Sequence, residues 1–297
     1  MWWMRRKSWS RKVFFVVLGI VGIYLLLCVV LARNYIYPAR RVPIKPEWLR
    51  EVVIDSRFGP TPAWGTSGLV DGHPSRVVFV MAHGYGGSRD TWTDPIQALS
   101  AKGFDCLAIA MPGQDASPAR GVGFGISEGH AIVDAVKWTR FKTGGKSKIV
   151  VLGLSMGGAA TWLATAEDPQ IDGIVTEGAY GRFDLATKRF FDCKVAGGSV
   201  MLAPVVTIAK WMSGIDPEEV RPVDAAAKWR GKPALVIQGG ADVLITPDQG
   251  KSLADAAGCE EWIVPGAEHA HCYETDSHGY IERICHFAEA LSPTPVK

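Results

Sequence analysis

With 297 residues, 47% of them hydrophobic and 21% charged, the chain is long enough for a sizeable core and too apolar to be intrinsically disordered. Its formal net charge of +2 conceals a division: residues 1–50 hold ten Lys/Arg against one Glu, whereas the remainder holds 22 against 29. An acidic main body argues against nucleic acid as a partner, because that partner needs a basic face.

The first element along the chain is Val13 to Leu31, VFFVVLGIVGIYLLLCVVL, nineteen residues without a charge. As a helix it rises about 28 Å, close to the depth of a bilayer's hydrocarbon. Residues 1–12 before it form a basic segment (Arg5, Arg6, Lys7, Arg11, Lys12), and Trp2, Trp3, Trp9, Tyr35 and Tyr37 stand where interfacial aromatics stand. The reading is a single-pass anchor that contacts membrane lipid through residues 13–31. The denser basic cluster lies before the span, which puts the N-terminus in the cytoplasm and the main domain on the other side. A signal peptide cleaved near Val30-Leu31-Ala32 is the rival, but the run is long for one. A buried core helix is the other, disfavoured by the flanking charges. Residues 32–50, with Pro38, Pro43 and Pro46 and five basic residues, read as a juxtamembrane linker, leaving 51–297 as the main domain.

From there short apolar runs alternate with amphipathic stretches. Buried strands are expected at Val77–Ala82, Cys106–Ala110, Ile149–Leu152, Ile171–Thr176, Ala234–Gln238 and Trp262–Val264, with helices such as Ile126–Phe141 and Asp248–Ala257 between them. Strands of this length alternating with helices imply an α/β fold with a mostly parallel sheet, whose ligands bind beyond the carboxyl ends of the strands. Residues just after each strand are therefore the ones to read. One interval breaks the rhythm: residues 181–228 are too many for a plain crossover and include GSVMLAPVVTIAKWM, Gly198 to Met212. This segment is expected either to cap the pocket or to pack as a helix on the core, and the two are compatible.

After Val77–Ala82 comes HGYGGSRDTW, in which His83, Gly84 and Gly86 build a loop that lets backbone approach a substrate. The bland alternative is a merely flexible loop. After Ile149–Leu152 comes Gly153-Leu154-Ser155-Met156-Gly157, a G-x-S-x-G turn into a helix. At a strand-to-helix junction this pattern lifts the serine hydroxyl above the sheet. A serine needs a base, and the base needs an orienting acid, following in the order Ser, Asp/Glu, His. Asp242 follows the Ala234–Gln238 strand on a Gly-Gly turn, and His269 follows the Trp262–Val264 strand on a Pro-Gly turn. Glu177 is an alternative acid, and His271 an alternative base. Asp248 reads better as a helix N-terminal residue. The backbone N–H groups of Met156 and Tyr85 are the candidate oxyanion donors. His269, His271 and Cys272 lie close together, yet no second ligand pair at zinc spacing accompanies them, so neither metal nor cofactor is expected. Whether any of Cys259, Cys272 and Cys285 pair stays open.

HGYGGSRDTW, GLSMGG, the stretch from Ser213 to Pro247 and VPGAEHAHCYETDSHGYIERICHF together resemble the α/β-hydrolase superfamily over about residues 75–290. More narrowly, they are similar to its serine-aminopeptidase and monoacylglycerol-lipase-like branch, in a membrane-anchored bacterial form. The resemblance implies a helical cap, a Ser155–Asp242–His269 triad, an oxyanion hole at Tyr85 and Met156, and hydrolysis of a carboxyl ester. Serine aminopeptidase, thioesterase, acyltransferase and a non-catalytic tethered binding protein are the alternatives. In one place the chain departs from the pattern: Ala110 to Ser117, AMPGQDAS, stands where relatives carry D-x-R-G-x-G-x-S.

Overall fold

The computed structural model describes residues 2–167 and 170–292, with side chains from residue 11 onward. Helix α1 (Trp2–Ile36) is continuous through the apolar span and one turn beyond it. Its Arg11–Ile36 portion is long enough to cross a membrane, and an 18-residue stretch within it reaches a mean hydropathy of 3.1. Trp2, Trp3 and Trp9 lie outside the described side chains. The linker therefore starts at Tyr37, later than the composition suggests, and it is not a free tether. Arg40 donates to the carbonyls of Ser117, Ala119 and Arg120, and Arg41 makes a two-pronged pair with Asp90.

Eight strands follow: β1 (Arg50–Ser56), β2 (Gly59–Gly65), β3 (Val77–Ala82), β4 (Asp105–Ile109), β5 (Lys148–Leu154), β6 (Gly173–Glu177), β7 (Ala234–Gly239) and β8 (Glu260–Val264). They form one sheet in the order β1-β2-β4-β3-β5-β6-β7-β8, parallel from β4 to β8. The six parallel strands are those expected, within two residues at each end. The central strands β3 and β7 are buried along their whole length because both faces are covered, whereas the edge strand β8, EEWIV, is buried only at Val264. The antiparallel β1–β2 hairpin was not expected, since Pro60 and Pro62 speak against a strand. β2 tolerates them because it reaches β4 only through Ala63, Trp64 and Gly65.

Helices α2 (Thr93–Ala101) and α9 (Ser277–Leu291) cover one face, through Ile96, Leu99, Tyr280, Ile284 and Ala288. The other face is covered by α3 (Ile126–Lys142), α4 (Met156–Glu167), α7 (Pro222–Lys228) and α8 (Pro247–Ala257). Between β6 and β7 the chain rises into α5 (Phe183–Lys194), a helical turn (Gly198–Met201) and α6 (Ala203–Ser213). Of the 181–228 segment, α7 packs on α4 and α8 as an ordinary flanking helix. Helices α5 and α6 form the cap. The apolar run does become a helix, but α6 packs against α1 rather than against the sheet. The contact stripe on α1 is Cys28, Ala32 and Ile36, all buried at four-residue spacing. Two small residues in that stripe let α6, with its buried Val205 and Ala209, come close. All six cysteines are free thiols.

Candidate active site

The order of strands turns back at β3: β4 lies on one side of it and β5 on the other. The crevice beyond the carboxyl ends of β3 and β5 is where such sheets bind ligands, and two glycine-bearing turns meet there. Ser155 follows β5 with φ at +54°, the left-handed region that non-glycine residues avoid. The flanking glycines are obligatory. A Cβ on Gly153 would stand 2.4 Å from Thr161 Oγ1, and one on Gly157 would stand 2.2 Å from the Ala82 carbonyl oxygen. The turn is held by Ser155 N–H donating to the Glu177 carbonyl at 2.7 Å.

Ser155 Oγ lies 2.9 Å from His269 Nε2, and His269 Nδ1 lies 2.7 Å from Asp242 Oδ2. The structure thus brings together three residues that the sequence separates by 114 and 27 positions. Asp242 is buried, and its other oxygen accepts from Leu244 N–H at 2.9 Å and Ile245 N–H at 2.8 Å. These two donors fix the direction of the carboxylate toward His269.

Asp242, not Glu177, is the carboxylate hydrogen-bonded to His269. The Glu177 carboxyl accepts from Cys272 N–H at 3.0 Å and Tyr280 O–H at 2.9 Å, and burial pushes its pKa up. Side chain and carbonyl together brace the His269 loop and the Ser155 turn. His271 is exposed, with Nδ1 2.8 Å from the His269 carbonyl. Asp248 lies in the first turn of α8.

The loop after β3 runs beside the serine: a Cβ on Gly84 would lie 3.1 Å from Ser155 Cβ. Gly86, at φ +74°, donates its N–H to Gln114 Oε1. Met156 is the first residue of α4, so its N–H has no acceptor within the helix. Beneath the loop, His83 is fully buried, with Nδ1 3.0 Å from the Gly84 carbonyl and Nε2 accepting from Met111 N–H at 3.3 Å. These contacts specify a neutral imidazole, and burial pulls its pKa down to about 4.

A His whose folded pKa is depressed contributes stability above the unfolded value of about 6.5, and that contribution is lost as pH falls toward the folded one. Acidification from pH 7 to pH 4 should cost about 3 kcal/mol through His83. Urea midpoints across this range should show that loss in the native chain and a flatter dependence in His83→Gln. Equal slopes would assign the acid sensitivity elsewhere.

AMPGQDAS departs from the expected motif but does not lack a carboxylate pair. Asp115 accepts from Arg89 Nε at 2.9 Å, Arg89 Nη2 at 3.2 Å and Arg89 N–H at 3.0 Å, both residues being buried. The arginine is supplied by the neighbouring HGYGGSRDTW loop.

Above Ser155 lies a cavity of about 160 Å³ lined by Tyr85, Phe124, Phe183, Phe190 and Ile245 among others. Tyr35, expected at a membrane interface, lines it too. An aromatic residue at the end of an apolar helix suits either place, so its role was not readable from sequence. Among the described residues no carboxylate lines the cavity. Asp184 and Asp216 of the cap are engaged by Arg182 and Lys210, and Asp192 accepts from Ser199 N–H. Among the described residues no group of three or more His, Cys, Asp or Glu could hold a metal ion.

A serine on a strained strand-to-helix turn at the switch point, with acid and base after later strands in that order, is decisive for architecture. The fold is that of the α/β hydrolases. A family model for the alpha/beta hydrolase fold matches residues 77–198. Among solved structures, the esterase Pf2001 of Pyrococcus furiosus superposes with a TM-score of 0.71 at 20% identity, covering 86% of this chain and 98% of that one. XC6422 of Xanthomonas campestris, described as a serine hydrolase without lid, gives 0.58 at 16% identity over 86% and 100%. A hydrolase of Pseudomonas aeruginosa gives 0.60 at 15% identity over 80% and 98%. A search of curated proteins by sequence found no match. On this α/β-hydrolase scaffold the cap and α1 add what the sheet alone does not: a roof over Ser155.

Proposed function

We propose that the chain is a serine hydrolase that cleaves carboxyl esters of an apolar acyl group while anchored in a membrane by α1. The observation that carries this is the unbroken hydrogen-bond chain from Ser155 through His269 to Asp242, opening into an apolar cavity. Ser155 Oγ attacks the ester carbonyl carbon as His269 Nε2 takes its proton, and Asp242 stabilises the imidazolium. The Met156 and Tyr85 N–H groups receive the oxyanion. Collapse breaks the carbonyl–alkoxy bond, the imidazolium protonates the leaving alcohol, and a water deprotonated by His269 releases the acid from Ser155.

The family branch that the motifs resemble spans lipases and aminopeptidases. The cavity lining favours the ester, because a substrate α-amine would need a carboxylate and none lines it. Its size narrows the acyl group. An apolar cavity of about 150 Å³ holds benzene, so the roof as it stands suits about six carbons. Residues 13–31 would cross the bilayer, with the α/β domain on the non-cytoplasmic side. The esterase named among the structural neighbours is consistent with this chemistry.

The test uses the full chain in detergent micelles with p-nitrophenyl esters from butanoate to dodecanoate, aminoacyl-p-nitroanilides, and a fluorophosphonate label. Ester turnover peaking near hexanoate, with Ser155 labelled, is the expected result. Anilide turnover exceeding ester turnover would replace the esterase by an aminopeptidase. Acyl transfer to an added alcohol in preference to water would make it an acyltransferase. An unlabelled Ser155 would leave a binding protein.

A further inference from the structure

Helix α1 does more than reach the domain. Its stripe Cys28, Ala32 and Ile36 is buried against the cap. Beside that stripe, the Tyr35 ring lies 4.8 Å from Phe124, 5.4 Å from Phe190 and 5.8 Å from Tyr85, centroid to centroid. The Tyr35 hydroxyl is 3.3 Å from Thr187 Oγ1 on α5. In return, Tyr85 O–H donates to the Tyr35 carbonyl at 3.0 Å. One residue of α1 is therefore joined by side chain to the cap and by backbone to the loop that passes Ser155.

We propose that the last turns of α1 are part of the substrate site, with Tyr35 as the wall that limits the length of the acyl group. The inference rests on the acyl-ester reading of the same cavity and adds the residue that sets its selectivity. Rings of Tyr35, Phe124, Phe190 and Tyr85 enclose the apolar side of the cavity. Of these four, three come from the α/β domain and its cap, and Tyr35 alone from the helix read as an anchor. Trimming Tyr35 to a methyl group leaves a space that the close-packed neighbours fill only partly, and that space is continuous with the acyl cavity. The chain cannot lose residues 1–32 to a peptidase and keep this wall, because Tyr35 is positioned by helix packing at Cys28 and Ala32.

The experiment compares the full chain with Tyr35→Ala, Tyr35→Leu and Tyr35→Trp in micelles, reading kcat/KM along the ester series. Tyr35→Ala and Tyr35→Leu should move the optimum to acyl chains about two to four carbons longer and raise the long-to-short ratio about ten-fold. Tyr35→Trp should move it to shorter chains. A residue that only props α1 against the cap would lower all lengths alike. Profiles of unchanged shape in all three variants would overturn the proposal. A second arm needs no turnover: calorimetry of butanoic to dodecanoic acids on Ser155→Ala and on Ser155→Ala combined with each Tyr35 variant. The same shift in preferred length is expected there. A wild-type chain without ester turnover, but with this shift in binding, would remove the esterase reading and leave Tyr35 as the wall. No acid bound by any of them would overturn the wall.

Discussion

Replacing Ser155 by alanine should lower kcat for the preferred ester by about a million-fold and leave the fold intact. The substitution removes the oxygen 2.9 Å from His269 Nε2 and nothing that holds the turn. The turn is kept by backbone: Ser155 N–H to the Glu177 carbonyl, and Ala159 N–H to the Ser155 carbonyl at 2.9 Å. Serine already endures φ at +54°, and alanine endures it at similar cost. Thermal midpoints of the two proteins should therefore agree to within a few degrees. Some residual rate above water should remain, because the oxyanion donors proposed at Met156 and Tyr85 and the cavity would still bind the reacting ester. An alanine variant retaining more than about a hundredth of the activity would place the nucleophile elsewhere.

Removing Asp115 should cost about 3–5 kcal/mol of stability, the largest effect expected outside the triad. Arg89 is only 2% exposed and its guanidinium lies 4.7 Å from the Trp64 ring centroid. Without Asp115 that charge keeps only Glu51, at 3.5 Å and half exposed. The pair also links two loops, the one after β3 that carries Tyr85 and the one after β4 that carries Gln114, so activity should fall together with stability. Urea unfolding of Asp115→Ala against the parent measures the first, and ester turnover the second. The double variant Arg89→Met/Asp115→Leu should recover much of the lost stability, since an apolar pair leaves no uncompensated charge. A double variant no more stable than Asp115→Ala would show that the burial of charge is not the source of the loss.

How much of this was legible depended on how local the information was. β3 announces itself because VVFVMA is short, rich in β-branched valine and apolar at six consecutive positions, as a strand covered on both faces is. That Ser155, Asp242 and His269 would come together was legible because each lies on the stretch that follows a strand, and the parallel sheet carries all such stretches to one edge. The β1–β2 hairpin was hidden by its own prolines, which are permitted only by the partial pairing of β2 with β4. The Arg89–Asp115 pair joins two loops 26 residues apart, and no pattern within either loop names the other. The place of Tyr35 at the cavity was hidden for a different reason. Lipid and an aromatic cavity are both apolar surroundings, so the hydropathy of α1 is the same for either.

The seam between α1 and the cap extends farther down the helix than Tyr35: Tyr24 O–H donates to the carbonyl of Met201. Among the described side chains of α1, those of Arg11–Ile23 stand exposed before that seam, a stretch that rises about 20 Å where a bilayer's hydrocarbon measures about 30 Å. Set in a bilayer, the protein would thus float low in the water, like a hull with a draught of some 10 Å, and the exposed Val200 and Met201 would lie below the waterline. Such a hull would neither tumble nor swing on a tether. The concentration that governs its turnover would be moles of ester per unit of membrane area, so adding inert lipid at constant bulk ester should slow it by dilution in two dimensions.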